Sequence, residues 1–435
     1  MEPVKVGLLG LGTVGGGTMN VLHRNAAEIS RRAGRDIVVS HAAAREFDPK
    51  GIDGLDKVSI TNDAFEVVRN PEVDVVVELI GGYSPAKELV LEAIAQGKHV
   101  VTANKALIAL HGNEIFSAAQ AKGVTVAFEA AVAGGIPIIK ALREGLAANH
   151  IEWIAGIING TGNFILTEMR DKGRDFADVL KEAQELGYAE ADPTFDVEGI
   201  DAAHKLTILA SLAFGIPLQF DKCYTEGIGK IEAQDVEYAE ELGYRIKHLG
   251  VTRRTDTGVE LRVHPTLIPE RRLIANVDGV MNAVLVKGDA VGSTLYYGAG
   301  AGSLPTASAV AADIIDIARA LTVDPDSRVP HLAFQPDELS DFPVLGMDQI
   351  ETAYYLRLTV EDKPGVLAKV TGILGESGIS IEAVKQKEPL GGETEVPLVL
   401  LTHRVLEGDM NRALAAIAAM DAVRSVSRIR VEYLD

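Results

Sequence analysis

The sequence predicts an α/β fold: an amino-terminal parallel sheet, an α+β middle region and a small carboxyl-terminal module. Two observations predict the parallel sheet. Short apolar strands alternate with helical segments over residues 1–137, and a glycine-rich turn joins the first strand to the first helix. A third observation, the strand–helix–strand–strand–helix–strand order of residues 351–435, predicts the small carboxyl-terminal module. Because 435 residues are too many for one ordinary core, two to four domains are expected.

The composition narrows the classes of partner. The chain is 47% hydrophobic and 24% charged, as in globular proteins, and its net charge is −20. That charge disfavours nucleic acid and anionic membranes as partners, because both bind basic clusters. The single cysteine, Cys223, excludes an internal disulfide. With no signal peptide and no apolar run of membrane-spanning length, a cytoplasmic location is predicted.

The first strand, residues 4–9, leads into the sequence Gly10-Leu-Gly-Thr-Val-Gly15 and then into a helix. Gly10 permits the tight turn, Gly12 lets the backbone approach a pyrophosphate, and Gly15 lets the helix pack closely on the strand. The start of that helix offers free N–H groups to phosphates. The sequence therefore predicts a Rossmann-type dinucleotide site rather than a purely structural turn. Its predicted binding residues are Gly10, Gly12, Thr13, Val14 and Gly15.

The second strand, residues 36–44, bears on the choice of coenzyme. Sites that prefer NAD usually have an acid near the end of this strand, whereas here alanines precede Arg45. An arginine can pair with a 2′-phosphate, and Lys57 would add to the charge. The sequence favours NADP, with NAD still possible, over the alternative that Arg45 is an ordinary surface arginine.

Further strands are predicted at 74–80, 98–102 and 125–129. Ligands of open α/β sheets bind beyond the carboxyl ends of the strands. Lys105 follows such an end, so it is predicted to face the cofactor or the substrate; the alternative is a lysine that merely begins a helix.

In the middle region, a strand at 151–158 is followed by a predicted tight turn at 159–163, a helix to residue 172 and another helix ending at Gly187. Asp201 and Lys205 are then spaced i, i+4 before an apolar run, so they share one face of a helix that enters a core. An acid and an amine there can bind a zwitterion or move a proton. The alternative is a surface ion pair.

The predicted domains are a nucleotide-binding domain at 1–137, completed by about 303–325, a substrate-binding catalytic domain at 138–302, a linker at 326–350 and a regulatory domain at 351–435. The helix that begins at Pro305 is expected to return to the first domain. Gly302 is expected beside the nicotinamide. The βαββαβ order of the last domain predicts a ferredoxin-like fold, with an exposed loop at 388–393.

The chain resembles homoserine dehydrogenases over essentially its whole length, and its last segment resembles an ACT domain with an Asp362-Lys-Pro-Gly365 turn. Six motifs in the family's order are far more specific together than any one alone. They are Gly10-Leu-Gly-Thr-Val-Gly15, Thr102-Ala-Asn-Lys105, Glu129-Ala-Ala-Val-Ala-Gly-Gly-Ile-Pro137, Gly160-Thr-Gly-Asn163, Gly187-Tyr-Ala-Glu-Ala-Asp-Pro193 and Gly199-Ile-Asp-Ala-Ala-His-Lys205.

The resemblance implies reduction of aspartate 4-semialdehyde to homoserine with NADPH or NADH. It implies Lys205 as the proton donor, with Glu190 and Asp201 binding the amino end of the substrate. Lys105 matches a second active-site lysine, so the proton-transfer role is shared or belongs to it. General acid catalysis of this kind is worth roughly 10²–10⁴ in rate.

Three more expectations come from the resemblance. A monovalent cation, most simply Na⁺, would be bound at Glu129, Val132, Gly134 and Ile136. The ACT domain implies feedback control by threonine, although a module that only dimerises is the alternative. The family also implies a homodimer or homotetramer.

Two rival functions are weighed against this one. A phosphorylating semialdehyde dehydrogenase needs a cysteine nucleophile, and Cys223 has no recognisable nucleophile setting. A non-catalytic NADP and amino-acid sensor would keep the glycines and the ACT domain but would not need Lys205.

Overall fold

The computed structural model describes residues 2–387 and 394–435, so the predicted loop at 388–393 lies outside the described residues. The strands are β1 (Val4–Leu9), β2 (Ile37–Ala43), β3 (Ser59–Thr61), β4 (Val75–Glu78), β5 (His99–Thr102), β6 (Val126–Ala127), β7 (Ile151–Ile157), β8 (Tyr224–Thr225), β9 (Tyr244–Arg254), β10 (Val259–Pro269), β11 (Met281–Gly288), β12 (Gly292–Ala299), β13 (Glu351–Glu361), β14 (Ile381–Gln386), β15 (Glu395–Thr402), β16 (Val405–Leu406) and β17 (Val423–Val431).

The helices are α1 (Thr13–Arg24), α2 (Ala26–Ala33), α3 (Ala64–Arg69), α4 (Ala86–Ala95), α5 (Lys105–Lys122), α6 (Ile138–Lys140), α7 (Gly160–Lys172), α8 (Phe176–Glu185), α9 (Thr194–Val197), α10 (Ile200–Phe214), α11 (Ala233–Glu241), α12 (Ser303–Ala320), α13 (Val366–Glu376) and α14 (Glu407–Ala418). Helix α6 continues into a π-helical turn, Ala141–Gly145. Within the described ranges, no helix is both long enough and apolar enough to span a membrane.

The chain forms two compact units that alternate along the sequence. The first comprises Met1–Gly160, Asp201–Cys223 and Val280–Phe342. The second comprises Thr161–Ile200, Tyr224–Gly279 and Pro343–Asp435.

A parallel sheet in the order β3-β2-β1-β4-β5-β6 is the centre of the first unit. The strand order reverses beside β1, as in doubly wound dinucleotide-binding folds. Strand β4 is buried throughout, which its uninterrupted run of valines predicts. The predicted Rossmann-type domain is confirmed. Helix α12 packs in the same core as β1: Val310 and Ile314 are buried with Val6 and Leu8.

The first unit also contains an antiparallel sheet, β12-β11-β7, and helix α10. Every residue of α10 from Asp201 to Phe214 is buried. A helix that is apolar around its circumference belongs inside a core. The charged pair at its beginning is therefore buried rather than on the surface, and the surface-ion-pair alternative is wrong.

The second unit is built on one sheet, in the order β9-β10-β17-β13-β15-β14. Helices α13 and α14 pack on one face of its carboxyl-terminal strands, through Val370, Leu374, Met410 and Ile417. The order β13-α13-β14-β15-α14-β17 confirms the predicted ferredoxin-like ACT domain, to which the structure adds the short strand β16.

The turn predicted at residues 159–163 is wrong. Helix α7 already begins at Gly160 and includes Gly162. A Cβ atom on Gly160 would lie 2.7 Å from the carbonyl oxygen of Val280. Glycine is needed here for close packing against another segment rather than for a reversal of the chain, and the sequence pattern cannot distinguish the two.

Candidate active site

The glycine-rich turn has the geometry of a phosphate cradle. Gly10 has φ +100°, and a Cβ there would lie 2.9 Å from the oxygen of Leu79. A Cβ on Gly15 would lie 2.0 Å from the oxygen of Gly10. Gly12 is exposed, and apart from its own atoms and its two chain neighbours, no heavy atom of the described residues comes within 4 Å of its Cβ position. The space beside Gly12 and the adjacent start of α1 therefore fit a pyrophosphate, with the N–H groups at Thr13 and Val14 in the first turn.

Helix α12 begins beside this turn. The hydroxyl of Ser303 donates a hydrogen bond to the oxygen of Thr13, at 2.8 Å. The preceding Gly302 is exposed and has φ +119°, a conformation that favours glycine. The structure thus brings Gly302 to the edge of the dinucleotide turn.

Arg45 is exposed and follows strand β2 by two residues. The end of β2 adjoins the glycine turn, because Gly10 N donates to the oxygen of Ala43 at 2.8 Å. Lys57 is also exposed and ends a 3₁₀ turn.

A carboxylate and two ammonium groups meet at the beginning of α10. Oδ1 of Asp201 lies 3.0 Å from Nζ of Lys105, and Oδ2 lies 2.7 Å from Nζ of Lys205. Oδ2 also accepts a hydrogen bond from Nδ2 of Asn159, at 2.8 Å. Lys205 Nζ donates as well to the carbonyl oxygen of Ile158, at 2.7 Å. The predicted Asp201–Lys205 pair is present, and Lys105 joins it from the nucleotide-binding sheet.

The two lysines differ in their access to solvent. The side chain of Lys205 is 11% exposed, whereas that of Lys105 is 41% exposed. Lys105 is the first residue of α5, and Asn104 caps that helix by accepting from Leu107 N at 3.0 Å. The amine of Lys205 is therefore fixed in the interior, whereas the amine of Lys105 lies at the solvent-exposed edge of the cluster.

Burial raises the pKa of Asp201, but the positive charges of Lys205 and Lys105 outweigh it, so the net pKa lies well below the usual range. Burial lowers the pKa of the neighbouring His204 to about 4. His204 stacks on Phe220 with the ring centroids 4.3 Å apart. At neutral pH the carboxylate is therefore ionised and this histidine is neutral.

Glu190 lies in the second unit, between α8 and α9, and is exposed. Its main-chain oxygen accepts a hydrogen bond from Nε2 of Gln184, at 3.1 Å. Asp192 accepts from Thr194 N and Oγ1, at 3.1 and 2.6 Å, which gives it a local role in the turn before α9.

The segment predicted to bind a cation follows β6. The carboxylate of Glu129 is buried and accepts from the N–H groups of Ile139 and Lys140, each at 2.9 Å. Burial, and then the charge of Asp313, raises the pKa of Glu129 to about 7. Within the described ranges, no three His, Cys, Asp or Glu side chains form a group that could hold a metal. The groups of this segment that could take part in binding a cation are therefore the Glu129 carboxylate and the main-chain oxygens of the turn through Val132, Gly134 and Ile136.

Sequence reasoning missed several polar residues of this region. Asn159 lies between β7 and α7, and only its place before Gly160 could have suggested it. Glu78, Thr102 and Asn104 form a second buried network at the ends of β4 and β5. Asn163, a motif residue, is structural: its Nδ2 donates to the oxygens of Val277 and Gly279, at 3.0 and 2.9 Å.

A doubly wound sheet, an open glycine cradle and a lysine–carboxylate cluster define a dehydrogenase that uses a nicotinamide dinucleotide. Three family models match this chain: "Homoserine dehydrogenase, NAD binding domain" at residues 10–129, "Homoserine dehydrogenase" at 137–315 and "ACT domain" at 354–421. The chain belongs to the homoserine dehydrogenase family.

Individual relatives support the same family assignment. The chain is 69% identical to a homoserine dehydrogenase of Pseudomonas aeruginosa, over 100% of both chains. The crystal structure of a homoserine dehydrogenase from Thiobacillus denitrificans matches with a TM-score of 0.95 and 68% identity, covering 100% of this chain and 99% of that one. A hyperthermophilic archaeal homoserine dehydrogenase in complex with NADPH matches at TM-score 0.61 and 27% identity, covering 73% of this chain and 98% of that one.

Proposed function

We propose that the chain catalyses the reversible NAD(P)-dependent reduction of L-aspartate 4-semialdehyde to L-homoserine. The observation that carries this proposal is the single carboxylate, Asp201, that holds the ammonium groups of Lys105 and Lys205. The bound nicotinamide dinucleotide supplies the hydride in one direction and accepts it in the other. Family membership and the open cradle at Gly12 support the same reaction.

The protein's contribution is to stabilise and protonate the substrate oxygen as it gains negative charge. As the aldehyde carbon is reduced, its oxygen becomes an alkoxide and needs a proton. We assign Lys205 as the donor, because Ile158 and Asp201 fix its Nζ in a buried position. Lys105 shares the role as the lysine at the rim, where it can exchange protons with solvent.

Glu190 and Asp201 are the proposed ligands of the substrate's ammonium group. Asp201 already accepts from Asn159, Lys105 and Lys205, which supports a first duty of orienting the lysines. Glu190 is an exposed carboxylate, which suits it to bind an ammonium group from solution.

For the coenzyme we propose NADP, with NAD as the weaker substitute. The support is the exposed guanidinium of Arg45 just beyond β2, where alanines occupy the strand end at which NAD-preferring sites usually have an acid. We also propose a structural Na⁺ bound by carbonyl oxygens at Glu129, Val132, Gly134 and Ile136. In support, Ala133 and Gly134 have φ of +55° and +49°, so the backbone turns within the segment that carries these oxygens, and oxygen ligands suit a hard cation.

Regulation is proposed to act through the ACT domain. Threonine is the effector that we expect, and the assembly is a homodimer or homotetramer. A module that only dimerises is the competing possibility, and a non-catalytic sensor is the competing function. The cytoplasmic location remains a prediction from the sequence.

One assay separates these functions. The intact chain is incubated with L-homoserine and either NADP⁺ or NAD⁺, with and without threonine, while formation of the reduced coenzyme is followed at 340 nm. We expect turnover with both coenzymes, a higher kcat/KM with NADP⁺, and inhibition by threonine. Absence of turnover with either coenzyme, in a chain that still binds NADP⁺, would favour the sensor.

A further inference from the structure

A buried carboxylate, Glu78, ends strand β4 in the nucleotide-binding sheet. It is fully buried, and its Oε1 accepts from the N–H groups of Ile80 and Gly81, at 2.8 and 3.0 Å. Its Oε2 accepts from the hydroxyl of Thr102 at the end of the neighbouring strand β5, at 2.7 Å. One carboxylate thus fixes the loop that follows β4 and the end of β5.

The hydrogen bonds continue to the beginning of α5. The hydroxyl oxygen Oγ1 of Thr102, a fully buried residue, accepts from the N–H of Asn104 at 3.0 Å. Asn104 caps α5 and also donates from Nδ2 to the oxygen of Gly82, at 2.7 Å. Lys105 is the next residue and the first of the helix. The direction in which Lys105 leaves the backbone is therefore set by these bonds.

The same network supports a loop beside the coenzyme turn. Residues 79–83 follow β4. Leu79 lies against Gly10, since a Cβ on Gly10 would be 2.9 Å from the carbonyl oxygen of Leu79. Gly81 and Gly82 have φ of +79° and +71°, and Ile80 and Tyr83 remain exposed. Because this loop leaves two large apolar side chains in solvent, packing alone does not fix its conformation. The hydrogen bonds that Glu78 and Asn104 make to its main chain hold it in place.

A buried carboxylate is costly unless its hydrogen bonds are satisfied, and Glu78 accepts three of them. An apolar side chain would serve a structural purpose in this sheet at less cost, as the valines of β4 do. The position of the carboxylate, between the coenzyme loop and Lys105, calls for a functional reason.

We propose that Glu78 is a positioning residue that couples the loop at 79–83 to Lys105 through Thr102 and Asn104. Its Oε1 holds the loop in the shape that receives the nicotinamide end of the coenzyme. Its Oε2, through the Thr102 hydroxyl, holds the beginning of α5 so that Lys105 reaches Asp201. This inference rests on the proposed function of Lys105 in homoserine oxidation.

The two oxygens predict two different kinetic effects. In Glu78→Gln, the amide oxygen still accepts from Ile80 and Gly81, but the amide nitrogen cannot accept the Thr102 hydroxyl. We expect a fall in kcat of about tenfold with the KM for NADP⁺ within about threefold, because misplacing a catalytic group costs rate more than binding. Glu78→Ala loses both sets of bonds, so its KM for NADP⁺ should rise as well.

The decisive test is a double-mutant cycle between Thr102→Val and Lys105→Ala, measured as kcat for homoserine oxidation. Thr102→Val keeps the volume of the side chain and removes the hydroxyl. If Thr102 acts through Lys105, the valine lowers kcat about tenfold in the wild-type background and has almost no effect in the Lys105→Ala background. Thr102→Ser should recover most of the loss, because it restores the hydroxyl.

Thr252→Val is the matched control: it also removes a buried threonine hydroxyl, one bonded to the oxygen of Glu260 in the second unit. It should lower kcat by less than about twofold, as expected of a substitution outside the site. Equal losses from Thr102→Val in both backgrounds would overturn the coupling and leave Thr102 a structural residue. A wild-type chain that turned over no homoserine would contradict the proposed function instead.

Discussion

Asp201 uses both of its oxygens, one for each lysine, and this arrangement decides the chemistry that its neighbours can do. Ionised carboxylates are rarely buried without partners, and removing one partner of a buried pair typically costs about 3–5 kcal/mol. The i, i+4 spacing was enough to predict the contact between Asp201 and Lys205. The contact with Lys105 was not predictable, because it depends on how α5 and α10 meet in the folded unit.

We attribute the proposed preference for NADP to one residue, Arg45. Arg45→Glu replaces an attraction for the 2′-phosphate by a repulsion, so we expect the KM for NADP⁺ to rise by more than about tenfold. The KM for NAD⁺ should change by less than about threefold, because NAD⁺ has no charged group at that position. Steady-state kinetics with homoserine in excess measures both.

Arg24→Glu provides the control for this charge reversal. Arg24 is exposed and ends α1, at the opposite end of that helix from the glycine turn. The Arg24→Glu variant should leave the KM values for NADP⁺ and NAD⁺ nearly unchanged. Equal increases for the two coenzymes in Arg45→Glu would show that Arg45 does not contact the 2′-phosphate.

At the scale of secondary-structure elements, apolar runs were reliable guides, whereas glycine positions were reliable only in part. The valines of β4 predicted a strand buried on both faces, and the βαββαβ order predicted the ACT fold. The glycines at 160 and 162 misled, because a glycine chosen for close packing looks like a glycine chosen for a turn. Long-range networks such as Glu78–Thr102 leave no local pattern, since register between neighbouring strands brings them together.

Across the whole molecule, buried histidines make the fold sensitive to acid. Burial lowers the pKa of His99, His204, His248 and His331 to about 4, and it also lowers the pKa of His264 well below its usual value. Unfolding exposes these rings, which then take up protons near pH 6.5. The unfolded state binds more protons between pH 6.5 and 4, so stability is full above that window and falls as the pH drops through it.

Two acids make the folded state more stable as the pH falls, which opposes the effect of the histidines. Burial raises the pKa of Glu129 to about 7 and that of Asp313 to about 6, so the folded state takes up their protons before the unfolded state does. The histidines outnumber them, so we expect the melting temperature to fall steadily from pH 7 to pH 4.5. His331 accepts from Val126 N at 3.0 Å and stacks on Phe116, so it can be tested alone. His331→Gln keeps an acceptor without a titrating ring, and the fall in melting temperature should be smaller in this variant.

Exposed His403 gives the matched control for that experiment. His403→Gln should show the same dependence of melting temperature on pH as the wild type. If His331→Gln also follows the wild-type curve, the buried ring of His331 does not contribute to acid sensitivity.

The central claim is that an amine held by Asp201 carries the proton in NADP-linked homoserine oxidation, and Lys205→Ala tests it most directly. Turnover of L-homoserine with NADP⁺ is measured for this variant beside coenzyme affinity, obtained by fluorescence titration with NADPH. We expect kcat to fall by about 10²–10⁴, with the dissociation constant of NADPH within about threefold of the wild type. A variant that binds NADPH normally and keeps near-wild-type turnover would contradict the assignment of Lys205 as the proton donor.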